Sequence, residues 1–147
     1  MTTKEQLSEI KRLDTLIQNK TAEKKKWETI TMELATNVTA NMSGERVQSS
    51  GSKHKMADTV DSGVDRVRRI EKRIAELYEE MDRLIAVIDS LPETYSDILH
   101  KVYVQYMSLK EVAASRNEAY STVATNHGIA LKLASNILRQ QKATKSK

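Results

Sequence analysis

Residues 120–126, Tyr-Ser-Thr-Val-Ala-Thr-Asn, put five hydrogen-bonding side chains into seven positions without a single charge. Read as the start of a helix, Tyr120, Ser121, Thr125 and Asn126 offer hydroxyls and an amide to a polar partner. Asn126 alone among them has a side-chain amide that can donate and accept through two separate groups, the bidentate pairing that an adenine edge asks for. Thr122 could bond a phosphate oxygen, and Lys110, Arg116, Lys132 and Arg139 bring positive charge to the same region. Catalytic chemistry finds little support. His54, His100 and His127 are isolated, there is no H-E-x-x-H and no Cys, and Ser49 and Ser50 have no general base beside them in sequence. Ser49, Ser50, Lys53, His54 and Lys55 could cradle a phosphate, yet the spacing of a Walker loop is absent. Paired carboxylates such as Glu79-Glu80 suit an exposed helix face. The chain reads as a non-enzyme, with no catalytic residue, no metal and no cofactor.

The residues at 120–126 need a scaffold, and the stretch Ser108–Ala134 supplies one. Ser108 and Glu111 make an S-x-x-E capping box that starts a helix cleanly. Val112-Ala113 gives an apolar residue followed by a small one, which lets a second helix cross closely. Asn117 stands where the chain must turn, and Asn tolerates left-handed backbone. A longer second helix follows, with few acidic groups. This is the sequence form of a helix-turn-helix, which offers its second helix to the major groove.

Leu91-Pro92, Tyr103, Ser108, Glu111, Val112-Ala113, Thr122-Val123 and Ala130, within 91–138, resemble the promoter-reading region 4 of bacterial sigma factors. Ser43–Val60 resembles the linker of small sigma-like regulators of Gram-positive phages and prophages, the ArpU and RinA type. The resemblance covers about half of the chain. It implies a sigma region 4-like helix-turn-helix, control of late phage transcription and a place in the bacterial cytoplasm. The chain departs from the pattern at Arg116, Glu118 and His127, where such a module has apolar residues, and at Asn117, where the turn has Gly. The second helix also departs from it, keeping only Lys132 before Arg139 in place of a Lys and Arg run.

Composition agrees with helices. One Pro, four Gly and no Phe in 147 residues leave few breakers, while Glu, Lys, Arg, Leu, Ile, Ala and Gln are abundant. No segment approaches the roughly 18 apolar residues of a membrane span, and the polar N-terminus is unlike a signal peptide. A soluble, cytoplasmic protein without a membrane partner is expected. The net charge is +4, and residues 107–147 carry seven basic groups against Glu111 and Glu118. The whole excess therefore lies on the helix-turn-helix and the basic tail at 142–147, as a phosphate-binding surface requires.

Upstream, Thr2 or Thr3 can cap a helix, and Leu7, Ile10, Leu13, Leu16 and Ile17 form its apolar stripe. Lys20 and Lys24 interrupt the stripe before Trp27, Ile30, Leu34 and Val38 resume it, so this helix is expected from about residue 3 to about 38. Residues 41–55 hold Gly44, Gly51 and a cluster of serines and read as a flexible connection. Beyond it, Val67, Ile70, Ile74, Leu77, Met81, Leu84, Ile88 and Leu91 step by three and four in a heptad seam. The basic group Arg66, Arg68, Arg69, Lys72 and Arg73, offset by Asp65 and Glu71, reads as a solvated face. Pro92 and Glu93 open a further amphipathic helix bearing Tyr95, Ile98, Leu99, Val102, Tyr103 and Tyr106.

The expected fold is all-α: an antiparallel, coiled-coil-like hairpin over 1–90, open to homodimerisation, then a helix-turn-helix of sigma region 4 type over 91–141. The expected function is sequence-specific binding of double-stranded DNA in transcriptional regulation of phage or prophage genes. Two other classes fit the same parts: a small terminase-like DNA-packaging protein, and a protein-binding adaptor acting on RNA polymerase or a repressor.

Overall fold

A capping box opens the first helix. In the computed structural model, which describes the backbone of residues 1–43 and 50–145 and the side chains of 1–36 and 60–144, the Thr2 hydroxyl accepts from the Glu5 amide at 3.1 Å. The Glu5 carboxylate accepts in turn from the Thr2 amide at 3.0 Å. Helix α1 then runs over Thr3–Ser43 and α2 over Ser50–Asp89. Of the connection expected at 41–55, residues 44–49 lie outside the described residues, and both flanks are helical. Serine and glycine lower helix propensity by only about 1 kcal/mol or less per residue, so neighbouring turns can carry them. Among the described residues, every regular element is a helix and there is no strand.

The end of α2 follows from Pro92. The Leu91 amide bonds back to the Ile88 carbonyl at 3.2 Å, tightening the last turn, and α3 begins at Glu93 and ends at Leu99. The amphipathic helix expected beyond Pro92 does not continue as α-helix to Tyr106. It widens into a π-helical turn over His100–Val104, with the Gln105 amide on the His100 carbonyl at 3.0 Å. Tyr106 then takes left-handed backbone, φ 60°, a conformation that costs a non-glycine residue roughly 1–3 kcal/mol. Its side chain is held from far along the sequence. The phenol donates to Asp14 at 2.8 Å, and the Lys11 ammonium lies 5.6 Å from the ring centre. Helices α4, Leu109–Arg116, and α5, Tyr120–Lys145, complete the chain. The stretch from 142, expected as a tail, is thus helical to Lys145, and residues 146 and 147 lie outside the described residues.

These helices form two compact units, Met1–Thr15 with Tyr78–Lys147, and Leu16–Leu77. The division crosses both long helices, whereas the sequence suggested a boundary near residue 90. In the first unit, Leu7 and Ile10 of α1 and Val87, Ile88 and Leu91 of α2 are buried with Leu99, Tyr103, Ala130 and Ala134. A second cluster joins Ile98, Val112, Ala113 and Val123, and half-buried Val102 touches both. Ala130 and Ala134 sit one turn apart on α5, and their small side chains let α5 pack closely in the core.

Among the described residues, the second unit has fewer buried side chains. Ile17, Ile70 and Leu77 are buried, while Trp27, Ile30, Leu34, Val67 and Ile74 are only partly covered. Lys24 pairs with Glu71 at 3.4 Å, the Arg66 guanidinium lies over the Trp27 ring, and Gly63 abuts Thr31. Residue numbers rise on one helix as they fall on the other, so the two segments run antiparallel. A Cβ on Gly63 would stand 2.2 Å from the Thr31 Oγ1, which is why this helix position lacks a side chain.

Candidate nucleic-acid interface

The first unit positions 120–126 through three local devices. The first is the capping box of α4. The Ser108 hydroxyl accepts from the Glu111 amide at 3.2 Å, and the Glu111 carboxylate takes both the Ser108 hydroxyl, at 3.1 Å, and its amide, at 3.4 Å. The second is the turn. Asn117 is left-handed, φ 54° and ψ 41°, its amide bonds the Ala114 carbonyl at 3.3 Å and the Glu118 amide bonds the Ala113 carbonyl at 3.0 Å. That pair of bonds is a Schellman closure of α4. The third is packing. Val112 and Ala113 of α4 and Val123 of α5 meet against Ile98, which fixes how α5 leaves the turn.

The three departures from an apolar pattern have polar partners. Arg116 donates through Nη1 to Asp97 and through Nη2 to Glu118 at 3.1 Å, and Lys101 also donates to Asp97. The Arg116 side chain is only 18 % exposed. It ties α4 to α3, and the two amino groups expected to meet phosphate are engaged with carboxylates in this structure. Burial pushes the Asp97 carboxyl up, but the hydrogen bonds and charges of Lys101 and Arg116 outweigh that and hold its pKa below the usual carboxylate value. His127 is half-buried, with its Nε2 2.9 Å from the Tyr103 hydroxyl and the two rings stacked 5.8 Å apart. Burial, with a smaller contribution from the Lys4 charge, lowers the His127 pKa, and burial pushes the Tyr103 phenol up to about 12. A neutral imidazole accepting from Tyr103 satisfies both groups.

The outward side of α5 has a regular composition. Thr122, Thr125, Ile129, Lys132, Asn136 and Arg139 step by three and four residues and are all exposed, and Ser121 is exposed beside them. The opposite side carries buried Val123, Ala130 and Ala134. All 26 residues of α5 lack a carboxylate. Ser121, Thr122, Thr125, Lys132 and Arg139 are thus brought onto one face, and Lys110 is exposed on α4. Asn126 is partly buried at the margin of that face. Tyr120, 54 % exposed, leaves the helix roughly 100° round from Ser121 and does not share its direction. Sequence reading overlooked Ile129, 38 % exposed, and Asn136. Continuing the step from Thr122 past Thr125 would have found both. Among the described residues no three His, Asp or Glu side chains gather as metal ligands, and no helix is long and apolar enough to cross a membrane.

Compared with family models, curated proteins and solved structures, the chain matches none.

Proposed function

We propose that the protein is a sequence-specific DNA-binding transcriptional regulator, with α4 and α5 acting as a helix-turn-helix of sigma region 4 type. The observation that carries this reading is the outward face of α5: hydroxyls at its start, cations further along, and no carboxylate in the helix. A partner made of phosphates and base edges suits that order. Ser121 and Thr125 read bases in the major groove, with Asn126 contributing from the margin. Thr122, Lys110, Lys132 and Arg139 hold the phosphate backbone, which positions the helix but does not discriminate sequence.

The test is fluorescence anisotropy of labelled duplexes from the gene's own neighbourhood against a shuffled control, across a salt series. One fragment should stay bound at salt that releases the control. Removing both hydroxyls (Ser121→Ala with Thr125→Ala) should reduce that preference by tenfold or more, since each good base contact is worth about 1–3 kcal/mol of discrimination. Lys132→Ala should weaken both duplexes alike. Equal losses from both changes on both duplexes would overturn the residue roles, and binding to both that disappears together with salt would overturn sequence-specific recognition.

One observation favours a second reading. Ile129 interrupts the polar face with an exposed apolar side chain, which suits a protein surface better than a phosphate backbone. In that case α5 docks on RNA polymerase, and Ile129→Asp abolishes capture of polymerase by the full-length protein while no duplex binds.

A further inference from the structure

The second unit carries a cationic feature that the α5 reading leaves unused. Arg66, Arg69 and Arg73 occupy positions i, i+3 and i+7 of α2. With Lys20, Glu23 and Ile70 they line an open recess of about 360 Å³. The sequence presents these arginines as an ordinary solvated face, and two structural observations set them apart. First, the Arg66 guanidinium lies 4.1 Å from the centre of the Trp27 ring, so one arginine is held in place rather than left to sample many rotamers. Second, three nearby carboxylates each have one cation partner, one of these pairs lies within the recess, and Asp65 beside Arg66 is the remaining counter-charge on this stretch of α2. Glu23 pairs with Lys20 at 3.0 Å, Glu71 with Lys24 at 3.4 Å, and Glu76 with Arg73 at 3.4 Å. Arg69 pairs with no carboxylate among the described residues.

A row of this kind needs an extended anion. The recess is open, so it does not enclose a small ligand. From Arg66 to Arg73 the row runs roughly 10 Å, over which one nucleic-acid strand presents about three phosphates. Guanidinium forks match phosphate oxygens in pairs. We propose that Arg66, Arg69 and Arg73 form a second contact with the phosphate backbone of duplex DNA, separate from α5. This inference rests on the DNA-binding reading above and extends it to the second unit.

Trp27 is the only tryptophan of the chain and lies against Arg66, so its emission reports on the surroundings of that arginine. The experiment titrates full-length protein with a duplex of random sequence at low salt. It follows Trp27 emission and the anisotropy of the labelled duplex together, then repeats the titration across a salt series. Trp27 emission should change in step with binding. The triple variant R66Q/R69Q/R73Q should lose that change, and its slope of log affinity against log salt should shrink by roughly 2–3. Arg69→Gln alone disturbs no ring or ion pair and should lower the slope by roughly one, which keeps the test intact if the triple variant misfolds. Lys132→Gln should leave the Trp27 response in place.

A wild-type slope in both arginine variants, with Trp27 silent, would overturn the arginine row and leave the α5 reading standing. Absence of any duplex binding would overturn both. A Trp27 response to poly-glutamate but not to DNA would overturn the proposal in favour of an acidic protein partner. A Trp27 response to DNA that persists where no sequence preference is found supports the row and counts against base reading by α5.

Discussion

Ile88 and Ile74 sit two heptads apart on the same helix and in the same apolar seam, yet Ile88 is fully buried and Ile74 is only partly covered. The difference lies in what surrounds them. Ile88 belongs to the unit where α1 and α2 are joined by α3, the π-helical turn, α4 and α5, and Ile74 belongs to a unit in which the described residues are two helices alone. A pair of helices can shield one stripe of each and no more, so a heptad seam alone does not decide burial. Polar devices share the work in the second unit: Lys24 with Glu71, Arg66 over Trp27, and the close approach of Gly63 to Thr31. One amphipathic pattern thus yields a packed core where further helices cover it and a polar seam where none does.

The largest test of this contrast is truncation. Leu99→Ala, at a fully buried site, should cost about 2–5 kcal/mol. Ile74→Ala should cost roughly 1 kcal/mol, because less area is withdrawn from water. Urea denaturation followed by circular dichroism measures both, and equal losses would erase the distinction between the units.

Arg116 sharpens the comparison within the first unit. Arg116→Ala should destabilise by about 1–3 kcal/mol, below the value for a fully buried pair because Asp97 and Glu118 keep about a third of their side chains exposed. A variant of unchanged stability but weakened DNA binding would return Arg116 to the phosphate-contact role.

In the second unit the prediction concerns sign. Gly63→Ala should destabilise, since its Cβ meets Thr31 Oγ1. With Thr31→Ala in place, the same change should stabilise by about 1 kcal/mol, the helix propensity difference between the two residues. That Thr31 hydroxyl is buried without a hydrogen-bond partner, so removing it forfeits no hydrogen bond. Additive effects in a double-mutant cycle would mean the two residues do not touch.

The smallest expected effect is a pH dependence from His127. Its folded pKa lies below the ordinary 6.5, so the unfolded chain takes up the proton first. Its contribution to stability is present above about 6.5 and falls as the pH drops through 6.5 toward the folded value. Melting temperature measured from pH 7.5 to 5.5 should decline, and His127→Phe should flatten that part of the profile.

Where the physics is local, residue types were sufficient. Thr2 with Glu5 and Ser108 with Glu111 cap their helices as their spacing predicts, Asn117 turns left-handed, and Pro92 separates α2 from α3. Each rests on interactions within a few residues, so sequence spacing is the relevant distance. The candidate face on α5 was legible in part: Ser121, Thr122, Thr125, Lys132 and Arg139 share it, while Arg116, Asn126 and Tyr120 do not take the places expected of them. The ion pair of Arg116 was not legible because its partner Asp97 is nineteen residues away. A cation pointing to solvent and one held by a distant carboxylate look alike in sequence.

Sequence alone therefore determined the all-helical class, the capped ends, the left-handed turn and the lack of carboxylates along α5. These are matters of propensity, short-range hydrogen bonding and composition. Tertiary structure alone decided that α-helix gives way to a π-helical turn at His100, that Tyr106 accepts left-handed backbone, and that His127 is satisfied by Tyr103. It also decided that the seam of α2 is fully covered at Ile88 and only partly at Ile74. Those outcomes depend on groups that meet in space at long separation in the chain, such as Tyr106 and Asp14, ninety-two residues apart. Their combined contacts outweigh what the neighbouring residues favour.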